Sequence, residues 1–138
     1  MFDPTTEIGV NTLRRLKEEQ IIWLTTVRGD GMPQPTPVWF LWDGETFLIY
    51  SQPNAHKLRN LAHNPKVALN LNSDADGGKV LILFGQARID PGAPLAHLNP
   101  AYLEKYKGGI ADIEMTPENM GNEYSTAIRI TPEHVRSF

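Results

Sequence analysis

Pro33, Pro35 and Pro37 stand at every second position of a segment otherwise composed like a β-strand, residues 33–42. Backbone groups of successive strand residues point to opposite sides, and proline has no N–H. Three prolines two apart therefore strip the donors from one side of the strand and leave the other side intact. The stripped side cannot carry a continuous ladder, so the segment is expected to lie partly at a sheet edge. An open backbone edge of that kind is also a place where a flat ligand can hydrogen-bond through its rim.

The neighbouring segments read as consecutive hairpins. Residues 21–27 are β-branched, aromatic and apolar, and Arg28-Gly29-Asp30-Gly31 supplies a turn before the proline strand. Asp43-Gly44 turns the chain again into a strand over 46–51. Strands are expected over 66–71, 79–89 and 125–130, the last extending past the Thr131-Pro132 kink toward Val135. Gly85, inside a strand, signals a bulge or a close backbone approach. Helices are expected from Asp3-Pro4 to about residue 19, over 55–64 with Asn54 as N-cap, and over 94–107. Residues 108–124 carry the weakest periodicity and read as a surface excursion, the expected lining of a substrate pocket. Six strands joined mostly as hairpins, with two or three helices, point to a mainly β (α+β) antiparallel barrel with helical decoration. The 138 residues are expected to form a single domain.

Composition removes several function classes. Thirteen basic against sixteen acidic residues give a net charge of −3, which argues against general nucleic-acid binding. There is no cysteine, hence no disulfide framework, thiolate metal site or cysteine nucleophile. Met1-Phe2-Asp3-Pro4 lacks the pattern of a signal peptide, and no apolar run is long enough to span a bilayer, so a cytoplasmic protein without a membrane partner is expected.

Chemistry concentrates at the run from Tyr50 to Pro65, a strand end, a polar turn and the start of a helix. His56, Lys57 and Arg59 sit at or just after the turn. Free N–H groups at a helix start and a lysine in the same turn favour an anion such as phosphate. On this chemistry alone Lys57 is either a solvated helix residue or a phosphate contact, and Ser51 either caps the turn or binds the same anion. His56 and His63 are seven residues apart, a poor spacing for a metal pair, and no metal site is expected. Asp74-Ala75-Asp76-Gly77 hints at a calcium loop, but Gly85 stands where the twelfth-position glutamate is required. Gly77-Gly78-Lys79 lacks the spacer of a phosphate-binding loop; Lys79 is kept as a candidate that reaches a cofactor from the long strand.

The order and spacing of Trp23-Leu24-Thr25-Thr26, Pro35 to Phe40, Tyr50 to Lys57, Leu61 to Pro65 and Gly85-Gln86-Ala87 resemble the pyridoxamine 5′-phosphate oxidase-like flavin-binding split-barrel superfamily. Within it, the chain is similar to the small flavin- or deazaflavin-dependent oxidoreductases. The resemblance implies a six-stranded antiparallel split β-barrel with flanking helices. It also implies a homodimer, and FMN or coenzyme F420 bound at the subunit interface. Thr36, Pro37, Val38 and Trp39 would then follow the isoalloxazine edge, and Tyr50, Ser51, His56 and Lys57 would hold the ribityl phosphate. His56 stands where the oxidase branch usually has arginine, and residues 126–138 show no match to that branch's C-terminal Trp and Arg. Both departures point away from vitamin metabolism and toward hydride transfer to another small substrate. Two further readings stay open: a non-catalytic flavin or haem carrier with His63 or His97 as axial ligand, and a barrel that binds no cofactor.

Overall fold

A computed structural model describes residues 2–138. The elements run α1 (Glu7–Glu18), β1 (Ile21–Val27), β2 (Pro33–Trp39), β3 (Leu41–Trp42), β4 (Phe47–Ser51), α2 (His56–His63), β5 (Lys66–Asn70) and β6 (Leu81–Ile89). A 3₁₀ turn (Ala96–Leu98), α3 (Pro100–Asp112), α4 (Pro117–Glu123) and β7 (Thr126–Ser137) follow. The strands form one curled sheet in the order β2-β1-β5-β6-β7-β4-β3, every pairing antiparallel. The fold is therefore α+β and mainly β, with seven strands rather than the six expected.

The extra strand comes from the proline segment. It does not run unbroken over 33–42 but breaks at Phe40, which is fully buried in the barrel core. The sheet curls until β2, at one edge, and β3, at the other, belong to the same stretch of chain separated by that one residue. The backbone groups that Phe40 withdraws from the ladder are satisfied by α3. Its N–H donates to the Tyr106 hydroxyl at 2.8 Å. Its carbonyl accepts from Tyr106 Oη at 2.7 Å and from Lys105 Nζ at 3.0 Å. A buried strand break without such partners would be costly.

The β1–β2 register shows how the prolines are accommodated. Trp23, Thr25 and Val27 face Pro37, Pro35 and Pro33, while Ile22, Leu24 and Thr26 face Val38, Thr36 and Gln34. Proline cannot take part in a doubly hydrogen-bonded pair, so the prolines occupy the non-hydrogen-bonded pairs and turn their carbonyls outward. The free edge of β2 thus offers the carbonyls of Pro33, Pro35 and Pro37, and no N–H until Trp39.

Two apolar clusters meet at β4, which is buried along its whole length. Phe47 and Ile49 face the barrel interior with Leu16, Leu24, Phe40 and Ile128. Leu48 and Tyr50 face outward, onto Tyr102, Tyr106 and Ile110 of α3 and Met120 of α4. Residues 108–124, expected as an irregular excursion, complete this cluster with the end of α3 and the whole of α4. Gly108-Gly109 reads as a helix stop, yet α3 runs through it to Asp112, because Gly109 lets the helix approach Trp39. The stop falls at Ile113 and Glu114, the latter at φ +59°. Thr116 then caps α4, accepting from Asn119 N–H, with Pro117 at its first position.

Other boundaries also move. The α1 N-cap is Thr6, which accepts from Gly9 N–H, whereas Asp3 binds the Thr5 amide and hydroxyl. The N-cap position of α2 is Ala55, not Asn54, and no side chain caps it. Gly85 sits at the β6–β7 register shift, where a Cβ would come within 2.2 Å of the Thr131 carbonyl oxygen. β7 crosses the Thr131-Pro132 position without ending.

Candidate functional site

Three segments remote in sequence enclose a cavity of about 270 Å³: the free edge of β2, the β4–α2 junction, and the α3–α4 pair. From β2 come Pro37, Val38 and Trp39. The Trp39 indole is fixed from behind, stacked on Tyr106 with centroids 4.7 Å apart and planes 10° from parallel. Gly109 closes on the same ring, where a Cβ would lie 3.1 Å from Cζ2. Because Trp39 faces Ile21 in the non-hydrogen-bonded series, its N–H points to the open edge beside the Pro37 carbonyl. That edge presents one acceptor and one donor side by side.

The β4–α2 junction supplies Tyr50, Ser51, Gln52, Ala55 and Lys57. Tyr50 Oη donates to the Pro94 carbonyl at 2.7 Å and accepts from Asn99 Nδ2 at 3.1 Å. Burial pushes its pKa up. Ser51 is buried and donates to the Gln52 carbonyl at 2.9 Å, so its hydroxyl must rotate before donating to a ligand. The start of α2 has no side-chain cap and no acidic residue in its first turn, which leaves its amides open to an anion. Lys57 is half-buried and is the one charged side chain in the cavity wall. Among the described residues its ammonium has no hydrogen-bond or ion-pair partner, and burial pushes its pKa below the ordinary lysine value. One turn later, the buried Asn60 amide donates to Thr26 Oγ1 at 2.9 Å and ties α2 to β1.

The third wall is apolar and aromatic: Tyr102 of α3, Ile113 just after it, Met120 of α4 and Tyr124 just after that. Of the nine residues expected to hold a cofactor, six line this one cavity: Pro37, Val38, Trp39, Tyr50, Ser51 and Lys57. Thr36 lies in the β1–β2 ladder opposite Leu24, outside the wall. His56 is exposed and bonded to Arg59 instead. Lys79 is exposed in the turn before β6, at φ +55°, so it does not project from the long strand as expected. Its carbonyl accepts from Arg15 Nη1 at 2.6 Å. Sequence reading named neither Tyr102 nor Gln52 as a site residue. For Tyr102 the available signal was an aromatic four residues before Tyr106 on one helix face.

The sequence profile of pyridoxamine 5′-phosphate oxidase matches residues 11–138. The chain belongs to the pyridoxamine 5′-phosphate oxidase family. No curated protein sequence matches it. Among solved structures, it is similar to a Listeria innocua protein of the pyridoxamine 5′-phosphate oxidase type, at 25% identity and a TM-score of 0.69 over 96% of this chain and 98% of that one. It also resembles an F420 reductase, at 24% identity and a TM-score of 0.67 over 89% and 94% of the two chains. The haem storage protein HutZ of Vibrio cholerae shares the fold at 16% identity, with a TM-score of 0.64 over 92% of each chain. One fold thus carries proteins of different names, and the site must decide what this chain does. Among the described residues no helix is long and apolar enough to cross a membrane.

Proposed function

We propose that this member of the pyridoxamine 5′-phosphate oxidase family binds FMN or coenzyme F420 in the cleft and works as an oxidoreductase on a small organic substrate. The observation that carries the reading is Lys57, a half-buried cation without a hydrogen-bond or ion-pair partner among the described residues, beside a helix start with no side-chain cap. A protein gains no stability from burying a lone ammonium, so an anion that completes the site is the simplest reason for it. Lys57 and the first amides of α2 would take the phosphate of the cofactor tail. The Pro37 carbonyl and Trp39 N–H would pair with an imide, which carries a donor and acceptors on one rim. When bound, such a cofactor supplies hydride transfer, and the protein supplies position and electrostatics. A homodimer belongs to the same proposal. Trp23, Ile82 and Phe84 share the outer face of the sheet near this edge, and Phe84 is 42% exposed.

Haem carriage is not what the cavity favours, since none of the four histidines lines it. His63 is exposed, and His97 packs against Gly121 of α4. Equilibrium titration of the purified chain with FMN and with F420 tests the reading. One cofactor is expected to bind at micromolar or tighter Kd. Lys57→Ala is expected to weaken it roughly ten- to a hundredfold, the loss of one charge-assisted hydrogen bond. Binding of neither cofactor by the native chain overturns the assignment.

A further inference from the structure

The α3–α4 wall of the cavity carries a polar group that the cofactor-holding residues leave unexplained. Tyr102 is 1% exposed and lines the cavity. Its ring is gripped on two sides, by Tyr50 at 4.8 Å and 85° and by Tyr106 at 4.8 Å and 37°. Its backbone is pinned by the α3 cap, where Asn99 Oδ1 accepts from Tyr102 N–H at 3.2 Å. The direction of the hydroxyl is therefore set by packing.

A buried tyrosine hydroxyl normally finds a partner. The two neighbours do so: Tyr50 donates to the Pro94 carbonyl, and Tyr106 reaches the Gln20 and Phe40 carbonyls. The Tyr102 hydroxyl bonds to none of the described residues. It is not sealed away either. Only Trp42 Nε1 and His97 Nδ1 are both buried and unpartnered among the described side chains. The small accessible part of Tyr102 is thus its hydroxyl, and what it meets is the cavity.

We infer that the Tyr102 hydroxyl is a hydrogen-bond donor to an acceptor oxygen of the molecule that fills the cleft. The wall around it contains no carboxylate that would accept instead. Burial, together with neighbouring Tyr106, Tyr50 and Tyr124, pushes its pKa up, so the group stays O–H and acts as neither base nor anion. The inference rests on the cleft being a ligand site, as proposed above. The acceptor is a phosphate or ring-carbonyl oxygen of the cofactor, or a carbonyl oxygen of the substrate.

Tyr102→Phe keeps the ring and removes only the hydroxyl. Because no internal hydrogen bond is lost, its thermal midpoint should match the native chain. Four probes separate the sources: FMN, riboflavin (which lacks the phosphate), 2-acetylnaphthalene, and 2-isopropenylnaphthalene, where a methylene replaces the carbonyl oxygen. The expected result is a loss of about tenfold in affinity for an oxygen-bearing probe. Loss on FMN alone places the acceptor in the phosphate, and equal loss on FMN and riboflavin places it in the ring. Loss on the ketone but not the alkene places it in the substrate. Unchanged binding of every probe overturns the inference, as does a loss that extends to the alkene, which would report packing. Failure of the cofactor reading looks different: the native chain takes up neither flavin nor F420, and the ketone–alkene pair still reads the hydroxyl. A native chain that binds none of the four probes and no F420 overturns both.

Discussion

Lys57 and Lys105 are both half-buried lysines on a rim of the same barrel, and they are treated in opposite ways. Lys105 Nζ lies 3.7 Å from the centre of the Phe40 ring and donates to the carbonyls of Leu16 and Phe40 at 3.2 and 3.0 Å. Its head is fully engaged at the seam where β2 ends and β3 begins, and burial pushes its pKa down to about 8. Lys57 is half-buried too and its pKa moves the same way, but among the described residues its ammonium has no hydrogen-bond or ion-pair partner. One lysine closes the fold, and the other is left for something outside it. Burial alone does not separate a structural cation from a binding one; the partner inventory does.

The largest expected effects fall on the engaged side. Tyr106→Phe leaves the buried Phe40 N–H without its acceptor and removes the one hydroxyl proton shared by the Gln20 and Phe40 carbonyls, the latter keeping only Lys105. Urea unfolding should show a loss of about 2–3 kcal/mol, the range for orphaning buried backbone groups. Lys105→Met keeps the stem and removes two hydrogen bonds and the contact with the Phe40 ring; about 1–2 kcal/mol should be lost. If neither change moves the urea midpoint, the seam is not held by α3 and the contrast with Lys57 collapses. Gly109→Ala should cost about 1 kcal/mol and shift Trp39 fluorescence, since the added methyl meets the indole at 3.1 Å.

The two sides were not equally legible in the sequence. Alternating prolines announced the edge strand, and the helix start after Ser51 announced Lys57, because both signals are local. What closes the barrel is not local. Phe40 breaks the proline segment into two strands only because Tyr106 and Lys105, some 65 residues later, supply its hydrogen bonds. No pattern around Phe40 announces that break. Gly108-Gly109 is illegible for a related reason, since Gly109 serves close approach to Trp39 rather than helix termination. Thr116-Pro117 is a local helix-start signal, but the weak periodicity of residues 108–124 gives it no helix to open. Lys79 was misplaced because a strand pattern cannot show that the chain turns through positive φ two residues before β6 begins.

The smallest expected effect is on the free side, and its sign matters more than its size. Lys57→Met removes a desolvated, unpaired charge, so stability should stay within about 1 kcal/mol of the native chain and move upward if it moves. The same substitution should remove most of the anion affinity. The pH dependence separates the two lysines further. A lysine whose folded pKa is lowered has released its proton in the folded chain while the unfolded chain still holds one. Stability therefore rises with pH from about 8 toward the ordinary 10.5 because of Lys105. Burial raises the pKa of Tyr102 and Tyr106, which reverses the slope once tyrosines ionise in the unfolded chain, so the useful window closes near pH 10. Urea midpoints between about pH 7.5 and 9.5 should climb in the native chain and flatten in Lys105→Met. Phosphate or FMN should leave the Lys105 part of that slope untouched. A bound anion raises the pKa of Lys57 alone, so ligand should flatten only the part of the slope that Lys57→Met also removes. If ligand instead cancels the slope that Lys105→Met removes, the anion sits at the seam, and the roles assigned to the two lysines are reversed.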